Sequence, residues 1–141
     1  MTVQSAKTQD YPTLRNLQAY LSAPSPILLK HAIEPTGGGQ CLISAHAQQP
    51  VGYISYFSAE QVHITELVVH PEFRRAGRAS RLISAVVDKT SPCTTLTVTV
   101  AVSSKTAIGF YKSCGFTIAA RKEEFYETHE SAVDALFMTN E

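Results

Sequence analysis

The chain has 141 residues, 44% hydrophobic and 17% charged, and its 12 basic and 12 acidic side chains cancel to a formal net charge of zero. That length suits one domain burying roughly two thirds of its unfolded surface, and neutrality excludes a global attraction to nucleic acid or an anionic membrane. Three cysteines without C-x-x-C spacing and five scattered histidines form neither a disulfide framework nor a metal-ligand pattern. With no signal-like segment after Met1 and no apolar run near about 18 residues, a reducing cytoplasm is the expected setting.

Residues 2–6 read as a first strand. Asp10-Tyr11-Pro12 opens a helix, capped by Asp10 or Thr8, with Leu14, Leu17 and Leu21 as its apolar stripe. Pro24, Pro26 and Pro35 interrupt the next stretch, which has room for a short helix over 27–33, and Gly37-Gly38-Gly39 turns the chain. Residues 40–47 and 51–57 follow as a hairpin around Gln48-Gln49-Pro50. Residues 62–69 are β-branched and half-alternating, a strand that Pro71 ends. A basic loop follows, with Arg74, Arg75, Arg78 and Arg81 around Gly77, then a helix whose apolar residues fall at 82, 83, 86 and 87. Strand, glycine loop and helix start together aim unpaired amides and a positive dipole end at an anion, so the segment reads as a phosphate cradle. Neither G-x-x-x-x-G-K-[ST] nor G-x-G-x-x-G occurs there. Residues 94–100 alternate as a central strand, and Ser103 or Ser104 caps a helix that ends at Gly115. Residues 116–120 and 133–138 read as the last two strands, joined by an acidic segment over 121–132.

Two of these segments carry a resemblance. Arg74-x-x-Gly77-x-Ala79, directly after Val69-His70-Pro71, resembles the (Q/R)-x-x-G-x-(G/A) pyrophosphate loop of the GCN5-related N-acetyltransferase (GNAT) superfamily, whose members hold acetyl-CoA. Downstream, Ala107-Ile108-Gly109-Phe110-Tyr111 running to Gly115-Phe116 is similar to that family's A-I-x-F-Y-x-x-x-G-F element. The order of elements along nearly the whole chain also matches, least well over 22–40. The resemblance implies an α/β fold over 1–141: one N-acetyltransferase domain with a mixed, mostly antiparallel sheet, flanking helices and a splayed central strand pair.

It also implies roles. The main chain of Leu67, Val68 and Val69 would hold the thioester and pantetheine arm. Arg74, Arg75, Ala76, Gly77, Arg78, Ala79 and Ser80 would hold the pyrophosphate. Ser104 stands where the family often has a cofactor-contacting asparagine, and Tyr111 stands at its thiolate-protonating tyrosine. A phenol near pKa 10 is a suitable acid for a thiolate near about 8.5. Glu66, the only carboxylate on the strand 62–69, is the candidate base, acting directly or through water, and a contact for the acceptor. His63 and His70 are the runners-up. Arg75 and Arg78 depart from the usual glycine and aliphatic residue of the loop, which leaves Arg75 to manage without a glycine's freedom.

Phe125-Tyr126 followed by Asp134-Ala135-Leu136-Phe137-Met138 is similar to the branch that acts on protein N-termini, including the ribosomal-protein acetyltransferases. Tyr126 is expected to line the acceptor groove. An α-amine of pKa about 7.7–8 is roughly one-tenth neutral at pH 7, against about one part in 2,500 for a lysine near 10.4. A site with one carboxylate base suits the former. The expected reaction is direct attack of a primary amine on acetyl-CoA without a metal. The amine is a peptide N-terminus or a small polyamine-like molecule, in a monomer or homodimer. A catalytically silent CoA-binding regulatory module is the reading from another class.

Overall fold

Hydrophobic stripes on both faces of the central strands require cover from both sides. The computed structural model of the chain describes residues 2–21, 24–34, 36–90, 94–127 and 132–140, with backbone alone at 124–127 and 132–135. Seven strands form one sheet: β1 (Thr2–Ser5), β2 (Gly39–His46), β3 (Gln49–Ser58), β4 (Val62–Val69), β5 (Leu96–Ala101), β6 (Thr117–Glu127) and β7 (Ala132–Asn140). Their spatial order is β1-β2-β3-β4-β5-β7-β6, and every pairing is antiparallel except that of β4 with β5. The helices are α1 (Tyr11–Leu17), α2 (Pro26–Ile33), α3 (Arg78–Lys89) and α4 (Lys105–Ser113).

Because successive strand residues point to opposite faces, neighbours in sequence serve different cores. Leu42, Ile54, Ile64 and Val98 join Leu82, Ile83 and Val86 of α3, Tyr111 of α4, Phe116 and Met138 in one core. Ile43, Tyr53 and Val68 join Leu14 and Leu17 of α1 and Leu29, Ala32 and Ile33 of α2 in the other. Leu82 and Val86 lose all exposure, which stabilises the fold by about 1.5–3 kcal/mol for each. A parallel pair needs a crossover connection, and α3 supplies it between β4 and β5.

Three expectations need correction. The hairpin turns at Ala47 and Gln48, both with positive φ (49° and 68°), and Gln49 and Pro50 already belong to β3. Positive φ at both central residues matches the twist of a two-residue hairpin. Pro50 is tolerated because the β2–β3 register shifts beside its partner Ala45. Residues 121–127 are not a loop but the second half of β6, drawn into the sheet by a β7 that begins at Ala132. The carboxylate of Asp10 does not cap α1; it accepts from the Lys7 amide (2.8 Å), closing the 3₁₀ turn before the helix. Ser25, unanticipated, caps α2 by accepting from the Leu28 amide (3.3 Å). The remaining elements lie within a few residues of their expected bounds.

His63 of β4 sits against Thr97 of β5, with Nδ1 2.8 Å from Oγ1. Burial first, then the Lys122 charge, holds the imidazole below its ordinary value of 6.5. The folded chain therefore takes up the proton less readily than the unfolded chain. His63 contributes stability that is fully present above pH 6.5 and is lost as the pH falls below it. Thermal unfolding of the wild type between about pH 7.5 and about 5 should show a decline that His63→Gln makes shallower. Parallel curves for the two proteins would show that another group carries the acid sensitivity.

Candidate active site

The β4–β5 ladder lasts only from Val62↔Leu96 to Ile64↔Val98. Past that point β4 keeps its partner on the β3 side, as far as Gly52↔Val69, while β5 stays paired with β7. The two strands part, and a cleft of about 900 Å³ opens between them. One wall is residues 65–69, the other is 98–101. The 74–80 loop closes one side, and Ser104, Phe110 and Tyr111 of the α4 segment contribute from another. Of the residues singled out from the sequence, Glu66, Leu67, Val68, Val69, Arg74, Arg75, Gly77, Arg78, Ala79, Ser80, Ser104 and Tyr111 all line this cleft; Ala76 does not. The Tyr126 side chain lies outside the described part, although its backbone pairs with Val133.

The cradle has unusual backbone. Arg75 takes φ 64° and Gly77 φ 78°, so the arginine adopts the left-handed form without a glycine's freedom. Gly77 is the N-cap of α3, and the first helical amide to find a backbone acceptor is that of Arg81, on Gly77 O (3.0 Å). The first-turn amides before it have no backbone acceptor, and the positive end of the helix dipole lies at them. A Cβ at Gly77 would meet no protein atom within 4 Å.

The arginines divide their work. Arg74 folds back, its Nε donating to Val69 O (2.9 Å), and ties the loop to the end of β4. Arg78 is only 6% exposed, and its guanidinium turns to β2: Nη1 donates to Ser44 Oγ (2.9 Å) and Ala45 O (3.2 Å), and Nη2 meets His46 Nδ1 (3.3 Å). The Phe73 ring lies 5.5 Å from its Cζ. Its Nε is buried without a partner. The guanidinium thus anchors the start of α3 to the irregular end of β2, and what Arg78 offers a phosphate is its main chain. Arg81 is exposed and does not line the cleft.

Glu66 is 7% exposed, and both of its oxygens accept hydrogen bonds. Oε1 accepts from Gln18 Nε2 (2.9 Å) and Tyr53 Oη (2.8 Å), and Oε2 accepts from the Ser25 amide (2.8 Å). Burial, then the charge and hydrogen bond of Glu66, push the Tyr53 phenol well above its ordinary range, so Tyr53 stays a neutral donor. Gln18 also donates to Ser25 O (3.2 Å) and accepts from Arg15 Nη1 (2.7 Å). The carboxylate therefore holds the α1–α2 connection against the sheet, and Oε2, with a single donor, is the oxygen with room for another.

Tyr111 is 6% exposed and set edge-on between Phe110 and Phe116, with ring centroids 5.3 Å apart in each case. Gly115 (φ 91°) ends α4 in the left-handed conformation, letting the Phe116 amide reach Tyr111 O (3.0 Å). Ser104 is the N-cap of α4, yet its hydroxyl accepts no helix amide. Gln18, Ser25, Tyr53 and Tyr20 carry no sequence signal of their own. Only a split in face along β3, Tyr53 against Ile54, hints that a phenol lies beneath β4's carboxylate.

Residues 8–134 match the family model described as an acetyltransferase (GNAT) domain. The chain belongs to the GNAT family. Over 81 residues it is 30% identical to the [ribosomal protein bS18]-alanine N-acetyltransferase of Salmonella typhimurium, a match covering 56% of this chain and about half (55%) of that relative's length. Among solved structures, it is similar to the Escherichia coli ribosomal-protein-S18-alanine N-acetyltransferase (TM-score 0.84, 20% identity, 98% of this chain and 91% of that one). It is also similar to Arabidopsis thaliana Naa50 in complex with the bisubstrate analogue CoA-Ac-MVNAL (TM-score 0.82, 21% identity, 99% and 97%). Acetyl-CoA, which GNAT relatives bind, fits the residues present: open space at Gly77 and first-turn amides of α3 without a backbone acceptor.

Gly77→Val places a β-branched residue at positive φ and fills the open space before the loop. CoA affinity should fall at least tenfold, about 1.4 kcal/mol. Calorimetric titration of the folded variant with CoA checks this, and an unchanged affinity overturns the cradle assignment.

Proposed function

We propose that the chain, acting as one unit over 1–141, transfers an acetyl group from acetyl-CoA to a primary amine, and that the amine is the N-terminus of a protein. The observation that supports this most is the parting of β4 and β5 into one cleft that takes in the cradle, Tyr111 and Glu66 together. When bound, acetyl-CoA supplies the activated thioester. The first-turn amides of α3 and the loop before it bind its pyrophosphate, and the β4 peptide groups left without a β5 partner orient the acyl arm.

Tyr111, which lines the cleft, gives its phenol proton to the departing thiolate. Glu66 draws in the ammonium form of the acceptor and takes its proton at Oε2, directly or through a water. Its partners Gln18, Tyr53 and Ser25 are all neutral, so the acceptor's own cation is the charge that balances it. The relative named for ribosomal-protein alanine and the neighbour solved with a CoA-Ac-MVNAL analogue, together with the greater neutral fraction of α-amines at pH 7, support the N-terminal acceptor over a small polyamine.

Two measurements test this. Tyr111→Phe should leave KM for acetyl-CoA nearly intact and lower kcat by about 10²–10⁴, the usual worth of a general acid. A loss below about threefold while chemistry limits turnover would move the proton source elsewhere. Thiol release should appear with short peptides bearing free N-termini. Turnover of polyamines without turnover of peptides favours the small-amine enzyme, and CoA binding without turnover of either favours a silent regulatory module.

A further inference from the structure

Tyr20 stands where the α1 segment meets the cleft. It ends the 3₁₀ turn Gln18–Tyr20, which the Leu21 amide closes on Gln18 O (3.0 Å), and it lines the cleft while 47% exposed. Its hydroxyl lies 3.3 Å from His70 Nε2, and the two rings meet edge-on with centroids 5.2 Å apart. The Phe73 ring also meets His70 edge-on, with centroids 5.8 Å apart.

The direction of the Tyr20–His70 hydrogen bond follows from a second contact. His70 is the N-cap of the 3₁₀ turn Pro71–Phe73, and its Nδ1 accepts from the Glu72 amide (3.1 Å). A ring nitrogen that accepts an N–H carries no proton, so the neutral imidazole bears its hydrogen on Nε2. His70 therefore donates to the Tyr20 oxygen. The Tyr20 O–H is left to donate elsewhere, and Tyr20 is among the residues that line the cleft.

The same short turn carries Gln18, which donates to Glu66 (2.9 Å). That turn thus carries both Gln18, which holds the Glu66 anion, and, two residues along, Tyr20 with an O–H to donate. We infer that Tyr20, aligned by His70, is the specificity residue that selects acceptors having a carbonyl oxygen beside the reacting amine. Glu66 takes the ammonium, and Tyr20 donates to the carbonyl of the same residue. A polyamine satisfies the first group and leaves the second unmatched. This rests on the N-terminal acceptor reading above and adds to it the residue that discriminates.

The test compares an alanine-initiated pentapeptide with 1,6-diaminohexane, measuring thiol release with saturating acetyl-CoA. Tyr20→Phe should lower the ratio of kcat/KM for peptide over diamine by about tenfold, through KM for the peptide, with kcat falling less than about threefold. His70→Asn keeps an oxygen to cap the Glu72 amide but removes the Nε2 donor. It should lower the same ratio by about threefold and add little in the Tyr20→Phe background, because the two groups act in series. If the wild type takes the peptide and Tyr20→Phe keeps the ratio within about twofold, or if the two variants add fully, this inference is overturned and the acceptor reading stands. If the wild type turns over the diamine and never the peptide, both fail together.

Discussion

Everything in this molecule turns on the point after Ile64 and Val98 where two parallel strands stop pairing. Strand edges inside a protein are not left bare, because a buried peptide group without a partner costs free energy comparable to a lost hydrogen bond. Here the sheet gives up the β4–β5 ladder while keeping β4 on β3 and β5 on β7. The gap is therefore a fixed feature of the sheet, lined by main-chain groups whose demand an extended ligand can meet. The two cores on opposite faces hold the strands apart in this way, since each strand is secured on its far side.

Two buried charges frame that gap, and neither has an opposite charge among its hydrogen-bond partners. Arg78 is met by a hydroxyl, a carbonyl and an imidazole; Glu66 is met by an amide side chain, a phenol and a backbone amide. Buried charges are costly unless paired or well hydrogen-bonded. Both are solvated instead by fixed dipoles, and each fastens a piece of chain to the sheet: Arg78 the start of α3, Glu66 the α1–α2 connection. The two charges are thereby kept apart, rather than neutralising each other.

What the sequence discloses and what it withholds follows from the range of the interactions. The cradle is legible because its chemistry is local: Pro71 stops a strand, Gly77 turns the chain, and a helix begins within a few residues. The α4 element is legible for the same reason, with Tyr111 and Gly115 inside one helix and its cap. The surroundings of Glu66 are not. Gln18, Ser25 and Tyr53 reach it across separations of 48, 41 and 13 residues, set by how α1 and α2 dock on the sheet. The Arg78 side chain belongs to the same class: a basic residue in a phosphate loop gives no sign that its guanidinium is directed to a bulged strand 34 positions earlier. The extent of β6 was hidden because its second half is as charged as a loop, and only pairing with β7 makes it a strand.

That charged second half of β6 has a meaning apart from any substrate. β6 is the last strand of the sheet, 11 residues long, with one side facing no other strand among the described residues. Such a border is a template on which another polypeptide can add itself, and long bare borders are where β proteins aggregate. Arg121, Lys122, Glu123 and Glu124 succeed one another along it, and a chain approaching in register must bring its own residues against that run. Lys122 further lays its ammonium over the Phe137 ring (5.5 Å), covering an aromatic surface near the rim. Charged residues along such a border disfavour the edge-to-edge addition of another chain, a constraint on that run separate from the chemistry of the cleft.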